Sequence, residues 1–216
     1  ELLQASANIP VGANSVVLGD FARPLDVLWQ EKGSLLLTLG QYSDALNCFH
    51  AAMDLNEANM FAVKERGFCL AKLDRHNDAI DCYDAVLELE PFDYNTMHNK
   101  ASSLNKLGEY EDAVDVFNAV LKLKPRYVYS LKGKATALRH LKRHPEAMHC
   151  VDKALGYKPD FIEAQFEKGM IYKELSDYQT ARDALLAVLE VNPDHQEAKA
   201  ALAELKQDEF NLEPEV

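Results

Sequence analysis

Along most of this chain apolar residues return every third or fourth position, the interval that lines one face of an α-helix. The stripes come in twos. Val63, Gly67 and Leu70 mark one, and Ala79, Tyr83 and Val86 mark the next, after the polar break LDRHN at 73–77. Such a stretch predicts a helix, a tight turn and a second helix. The pattern then recurs. LGQYSDALNCF stands at 39–49, LDRHNDAIDCY at 73–83, LGEYEDAVDVF at 107–117, LKRHPEAMHCV at 141–151 and LSDYQTARDAL at 175–185, each 34 residues after the last.

Placing the shared alanine at position 20 divides the chain into units 26–59, 60–93, 94–127, 128–161 and 162–195. Position 20 is Ala45, Ala79, Ala113, Ala147 and Ala181, and position 8 is Gly33, Gly67, Ala101, Ala135 and Gly169. Position 24 is large: Phe49, Tyr83, Phe117, Val151 and Leu185. Glycine inside a helix costs ~1 kcal/mol relative to alanine. Close approach of the two helices, with the position-24 side chain filling the space beside them, supplies the reason to keep it. Leucine at position 14 (Leu39, Leu73, Leu107, Leu141, Leu175) extends the first stripe. Proline at position 32 (Pro91, Pro125, Pro159, Pro193) ends the second helix in four units. The first unit has Glu57 there, which predicts a less rigid exit turn.

These residues, with Trp29 at position 4 of the first unit, resemble the tetratricopeptide repeat over residues 26–195. The resemblance implies an all-α fold, an α-solenoid whose antiparallel helix pairs form a right-handed superhelix. It also implies a concave face, lined by the first helices, that takes up peptide segments. QEAKAALAELKQ at 196–207 reads as a capping helix over the last apolar face, followed by an acidic tail at 208–216. Residues 1–25 carry no helical stripe. They are expected either to pack on the outer face of the first unit through Val16–Leu18 and Phe21, or to lie extended in a groove of this chain or a second copy.

Net charge is −12 and the sequence pI about 5.0, which disfavours nucleic acid as a partner. No run of apolar residues is long enough for a membrane span. The chain starts at Glu1 without a methionine, which is consistent with a fragment of a longer protein. Four cysteines, Cys48, Cys69, Cys82 and Cys150, form no CxxC pair and read as reduced, half-buried thiols of a cytoplasmic protein.

The family's groove positions in units three and four carry no acid. They offer His98, Lys106, Lys132, Arg139 and His140, with Asn95, Asn99 and Asn105 beside them and Lys64 in unit two. Asparagine amides can hold an extended backbone, and the cations can hold carboxylates. Phe61, Phe68 and Tyr129 add apolar contacts. The expected partner is a peptide segment bearing carboxylates. The family's chaperone-tail receptors use a Lys, Asn, Asn, Lys, Arg clamp, of which the best register here supplies only Lys64 and Asn99, so that specialisation is not expected. His140, His144, His149 and Cys150 cluster in sequence, but Pro145 interrupts any shared helical face and no metal or other cofactor is expected. No catalytic motif appears, so the chain reads as a non-enzymatic scaffold or adaptor. The alternatives are a substrate-docking region of a larger enzyme and a self-assembling structural protein that binds another copy through its N-terminal segment or its concave face.

Overall fold

Helices form where the stripes run. The structure, a computed structural model, describes residues 15–18 and 21–212. Among these residues are α1 (Leu25–Thr38), α2 (Tyr42–Leu55), α3 (Met60–Lys72), α4 (His76–Leu89), α5 (Tyr94–Leu107), α6 (Tyr110–Leu123), α7 (Val128–His140), α8 (His144–Tyr157), α9 (Ile162–Glu174), α10 (Tyr178–Val191) and α11 (Gln196–Leu212). The fold class is all-α. Two compact units divide the chain, one ending at Leu107 and the other starting at Gly108.

In the first unit each helix packs on the next from α1 to α5, and the alternate helices also touch, α1 with α3 and α3 with α5. The core is built from the repeated positions. Ala45, Phe49, Ala52, Ala62 and Cys69 form one cluster, with Trp29 and Leu36 packed against it. Val63, Leu70, Ala79, Cys82, Tyr83 and Val86 form the next. A Cβ on Gly33 would sit 2.8 Å from the Phe49 ring, and one on Gly67 would sit 2.8 Å from the Tyr83 ring. Position 8 is therefore glycine in these two repeats because the position-24 side chain lies directly over the helix backbone.

The second unit repeats this arrangement from α6 to α11, with α7 touching α9 and α9 touching α11. A Cβ on Gly169 would lie 2.8 Å from Leu185. Ala135 is tolerated at position 8 of the fourth unit, where the position-24 residue is the smaller Val151. Ala198, Ala201 and Leu205 of α11 cover Ala181, Leu185 and Val188 of α10. The helix α11 continues to Leu212, beyond the end at 207 that the stripe predicts.

Each turn between paired helices places position 15 in the left-handed region: Gly40, Asp74, Gly108, Lys142 and Ser176, with φ between 58° and 83°. In the second of these the Arg75 N–H donates to the Leu70 carbonyl and the Asp74 N–H to the Ala71 carbonyl, closing the helix end. This geometry corrects the reading of position 14 in two of the repeats, while Leu73, Leu107 and Leu141 stay half-buried. Leu39 is 71% exposed and Leu175 51% exposed. Each sits at the C-cap, just before the left-handed residue, where its side chain leaves the helix contact. The cysteines differ too: all four are free and fully buried rather than half-buried, with Cys48, Cys82 and Cys150 at position 23, beside the position-24 residue in the core.

Ahead of α1, β1 (Ser15–Leu18) and β2 (Phe21–Pro24) form an antiparallel hairpin in the register Ser15↔Pro24 to Leu18↔Phe21. Arg23 ties it to α1, with Nη1 2.7 Å from Glu31 Oε1. The side chains of Val16–Leu18 and Phe21, expected to be anchors, lie outside the described residues, as do residues 1–14.

Candidate peptide-binding site

In the first unit, α3 and α5 carry seven of the sequence-predicted residues. Phe61 is 42% exposed at the start of α3. Phe68 is half-buried two turns later, with the Lys72 Nζ 5.2 Å above its ring. Lys64 is not open. Its Nζ lies 3.2 Å from Asp93 Oδ2, and that carboxylate also accepts the Thr96 hydroxyl and the Asn95 and Thr96 backbone N–H groups at the start of α5. Burial pushes Asp93 up, but the hydrogen bonds from Thr96 and Lys64 outweigh it and hold the carboxyl below its ordinary range. Lys64 thus completes the N-terminal cap of α5. Along α5, Asn95 and Lys106 are exposed and His98 and Asn99 half-buried, at spacings that keep them on one side of the helix. A shallow pocket of about 400 Å³ on α1 is lined by Gln30, Glu31, Ser34, Leu35 and Thr38.

In the second unit, Tyr129 is 49% exposed on α7, edge-on to Tyr127 at 5.8 Å and to the buried Phe161 at 5.3 Å. Lys132 is half-buried one turn on. Arg139 corrects the expectation of an open cation. It is 9% exposed, with Nε 2.6 Å from Glu167 Oε1 and Nη1 2.5 Å from Glu174 Oε1. Thr136 donates to the second oxygen of Glu167, and Lys142 and His144 hold the second oxygen of Glu174. The guanidinium is consumed in joining α7 to α9. Burial raises Glu174, but hydrogen bonds from His144, Lys142 and Arg139 bring its carboxyl down to about 2.

His140 is not a second cation either. Its ring stacks on Tyr110 at 4.5 Å, and burial followed by the neighbouring Arg139 charge lowers its pKa. Both effects favour the neutral ring. His140 ends α7 while His144 begins α8, so they occupy different helices. No group of three or more His, Cys, Asp or Glu among the described residues is arranged to hold a metal.

The sequence pattern passes over one residue, Glu65. It is half-buried on α3, between Phe61 and Phe68, with no hydrogen bond or ion pair among the described residues. Burial pushes its carboxyl up, against a weaker opposing pull from Lys64. An acid at a groove position beside two phenylalanines is the signal available in the sequence.

The tetratricopeptide repeat model matches residues 31–94, 98–160 and 162–195, most of the chain. The chain belongs to the tetratricopeptide repeat family. Solved structures share its fold. TTC0263, a thermophilic TPR protein of Thermus thermophilus, is 18% identical, with a TM-score of 0.71 over 84% of this chain and 99% of that one. A fragment of MamA from Desulfovibrio magneticus RS-1 is 21% identical, with a TM-score of 0.69 over 83% and 99%. YrrB, described as a TPR protein with an unusual peptide-binding site, is 17% identical, with a TM-score of 0.62 over 82% and 91%. No curated protein matches the chain. No helix among the described residues is long and apolar enough to cross a membrane.

Proposed function

We propose that this chain is a non-catalytic interaction scaffold that holds an extended partner segment, carrying at least one carboxylate, on the faces of its first helices. Members of the repeat family bind proteins or peptides, and the structurally similar YrrB has a peptide-binding site. The observation that carries the finer reading is the row on α5. Asn95 and Lys106 are exposed and Asn99 is half-buried beside them. Lys106, like Lys132 on α7, has no ion-pair partner among the described residues. Asparagine side chains supply both a donor and an acceptor for a peptide backbone, and an unpaired ammonium supplies the carboxylate contact. In the second compact unit, taken by itself, Tyr129 stands one turn from Lys132 and offers an aromatic and a cationic contact on α7. Arg139 and Lys64 are left out, because their charges are already matched. The four buried free thiols suit a reducing compartment, and we place the protein in the cytoplasm.

The test is binding of a panel of acidic extended peptides to the full chain carrying Lys106→Glu and Lys132→Glu, singly and together. For a segment held on the first compact unit Lys106→Glu, and for one held on the second Lys132→Glu, is expected to weaken binding roughly tenfold, about 1.4 kcal/mol. Unchanged affinity in both single variants would overturn the reading. Arg139→Glu is unsuitable for this purpose, since it would leave Glu167 and Glu174 unmatched.

A further inference from the structure

Phe61, Glu65, Phe68 and Lys72 follow one another at four, three and four residues along α3, which places them on one face. Two phenyl groups therefore flank a carboxylate. That carboxylate is half-buried with no ion pair among the described residues, and the neighbouring Lys64 ammonium, which pulls on it only weakly, is engaged by Asp93. Burial, and to a smaller degree the Glu65 charge, disfavours ionisation of the Tyr83 hydroxyl and the Cys69 thiol. Desolvating a carboxylate without a counter-charge is costly, and repeat position 6 gives no packing reason to keep one. At the same position the other units carry Glu31, Asn99, Gly133 and Glu167, and both other acids are paired, with Arg23 and Arg139. The Phe68 face already attracts the protein's own Lys72 ammonium.

We propose that Phe61, Glu65 and Phe68 form a subsite for a basic side chain of the bound segment, arginine above all. A guanidinium can lie on a phenyl face and pair with Glu65 through its planar edge, which an ammonium cannot do equally well. The inference rests on the peptide-binding reading above and deepens it. The amide and lysine row of α5 lies on the helix that touches α3. Packed helices are about 8–10 Å apart and an extended chain advances ~3.3 Å per residue. The segment would thus carry its arginine about three residues from the carboxylate that α5 holds.

The experiment is selection of acetylated, amidated heptapeptides from a positional-scanning library on the full parent chain and on Glu65→Gln, with Phe61→Ala as a second variant. Thermal melts would confirm that all three proteins fold. The parent is expected to enrich arginine at one position and Asp or Glu about three positions away. Glu65→Gln should lose the arginine preference roughly tenfold while keeping the acidic one, and Phe61→Ala should weaken it about threefold. Acidic enrichment with no basic preference, or a basic preference unchanged in Glu65→Gln, would overturn the subsite and leave the scaffold reading standing. Absence of any enrichment in the parent would overturn both.

Discussion

Tyr83 shows how a repeated residue can be legible in place and not in detail. A large side chain at position 24 is evident from the sequence, and Tyr83 is fully enclosed over Gly67. Its hydroxyl, however, is buried with no hydrogen-bond partner among the described residues. Phe49 and Phe117 fill the same position without that group. Tyr83→Phe is accordingly expected to raise stability by about 1 kcal/mol, since it removes an unsatisfied buried oxygen at nearly constant shape. Chemical denaturation would check it, and a lower midpoint would mean that the hydroxyl has a use. Backbone conformation argues similarly at Ser176, which sits at φ 61° where two other units have glycine. Relief of about 1–2 kcal/mol of left-handed strain, less the ~0.5–1 kcal/mol entropic cost of glycine, predicts that Ser176→Gly is stabilising by roughly 0.5 kcal/mol in the same measurement.

Between elements, the sequence is less informative. The helices and their closest approaches follow from period and residue size, because both are local or repeat at a fixed interval. The network that joins α7 to α9 does not, since Arg139 meets carboxylates 28 and 35 residues away on the next first helix. Reading the units one at a time hides those acids and leaves Arg139 looking like a free cation. The network has a pH signature. The folded Glu174 carboxyl lies at about 2, below its unfolded value of about 4.3. Folding therefore favours the charged form. The stabilisation is complete above the unfolded value and disappears as pH falls from there towards 2. Glu174→Gln should lower the melting temperature at pH 7 and have little effect near pH 2. An equal shift at both pH values would show that the loss is one of packing rather than charge.

At the scale of the whole molecule, the repetition is readable because position 20 is alanine each time and, within each compact unit, a position-24 side chain covers a position-8 glycine: Phe49 over Gly33, Tyr83 over Gly67 and Leu185 over Gly169. Ala113 and Phe117 are fully buried as well. The partner is harder to read, since it depends on residues that differ between units and on which of their charges remain unmatched. Lys64 and Arg139 have matched charges, while among the described residues Lys106, Lys132 and Glu65 have no ion-pair partner. A chain with net charge −12 can still present local cations to a carboxylate, because charges more than ~10 Å apart are largely screened at 0.1 M salt. That the first helices hold the partner is tested most directly by amide chemical-shift mapping. The isotope-labelled full chain would be titrated with a heptapeptide carrying arginine three residues from aspartate. The changes should fall on α3 and α5, around Phe61, Glu65, Phe68, Asn95, Asn99 and Lys106. Changes confined to the second helices α2 and α4, or none at saturating peptide, would contradict it.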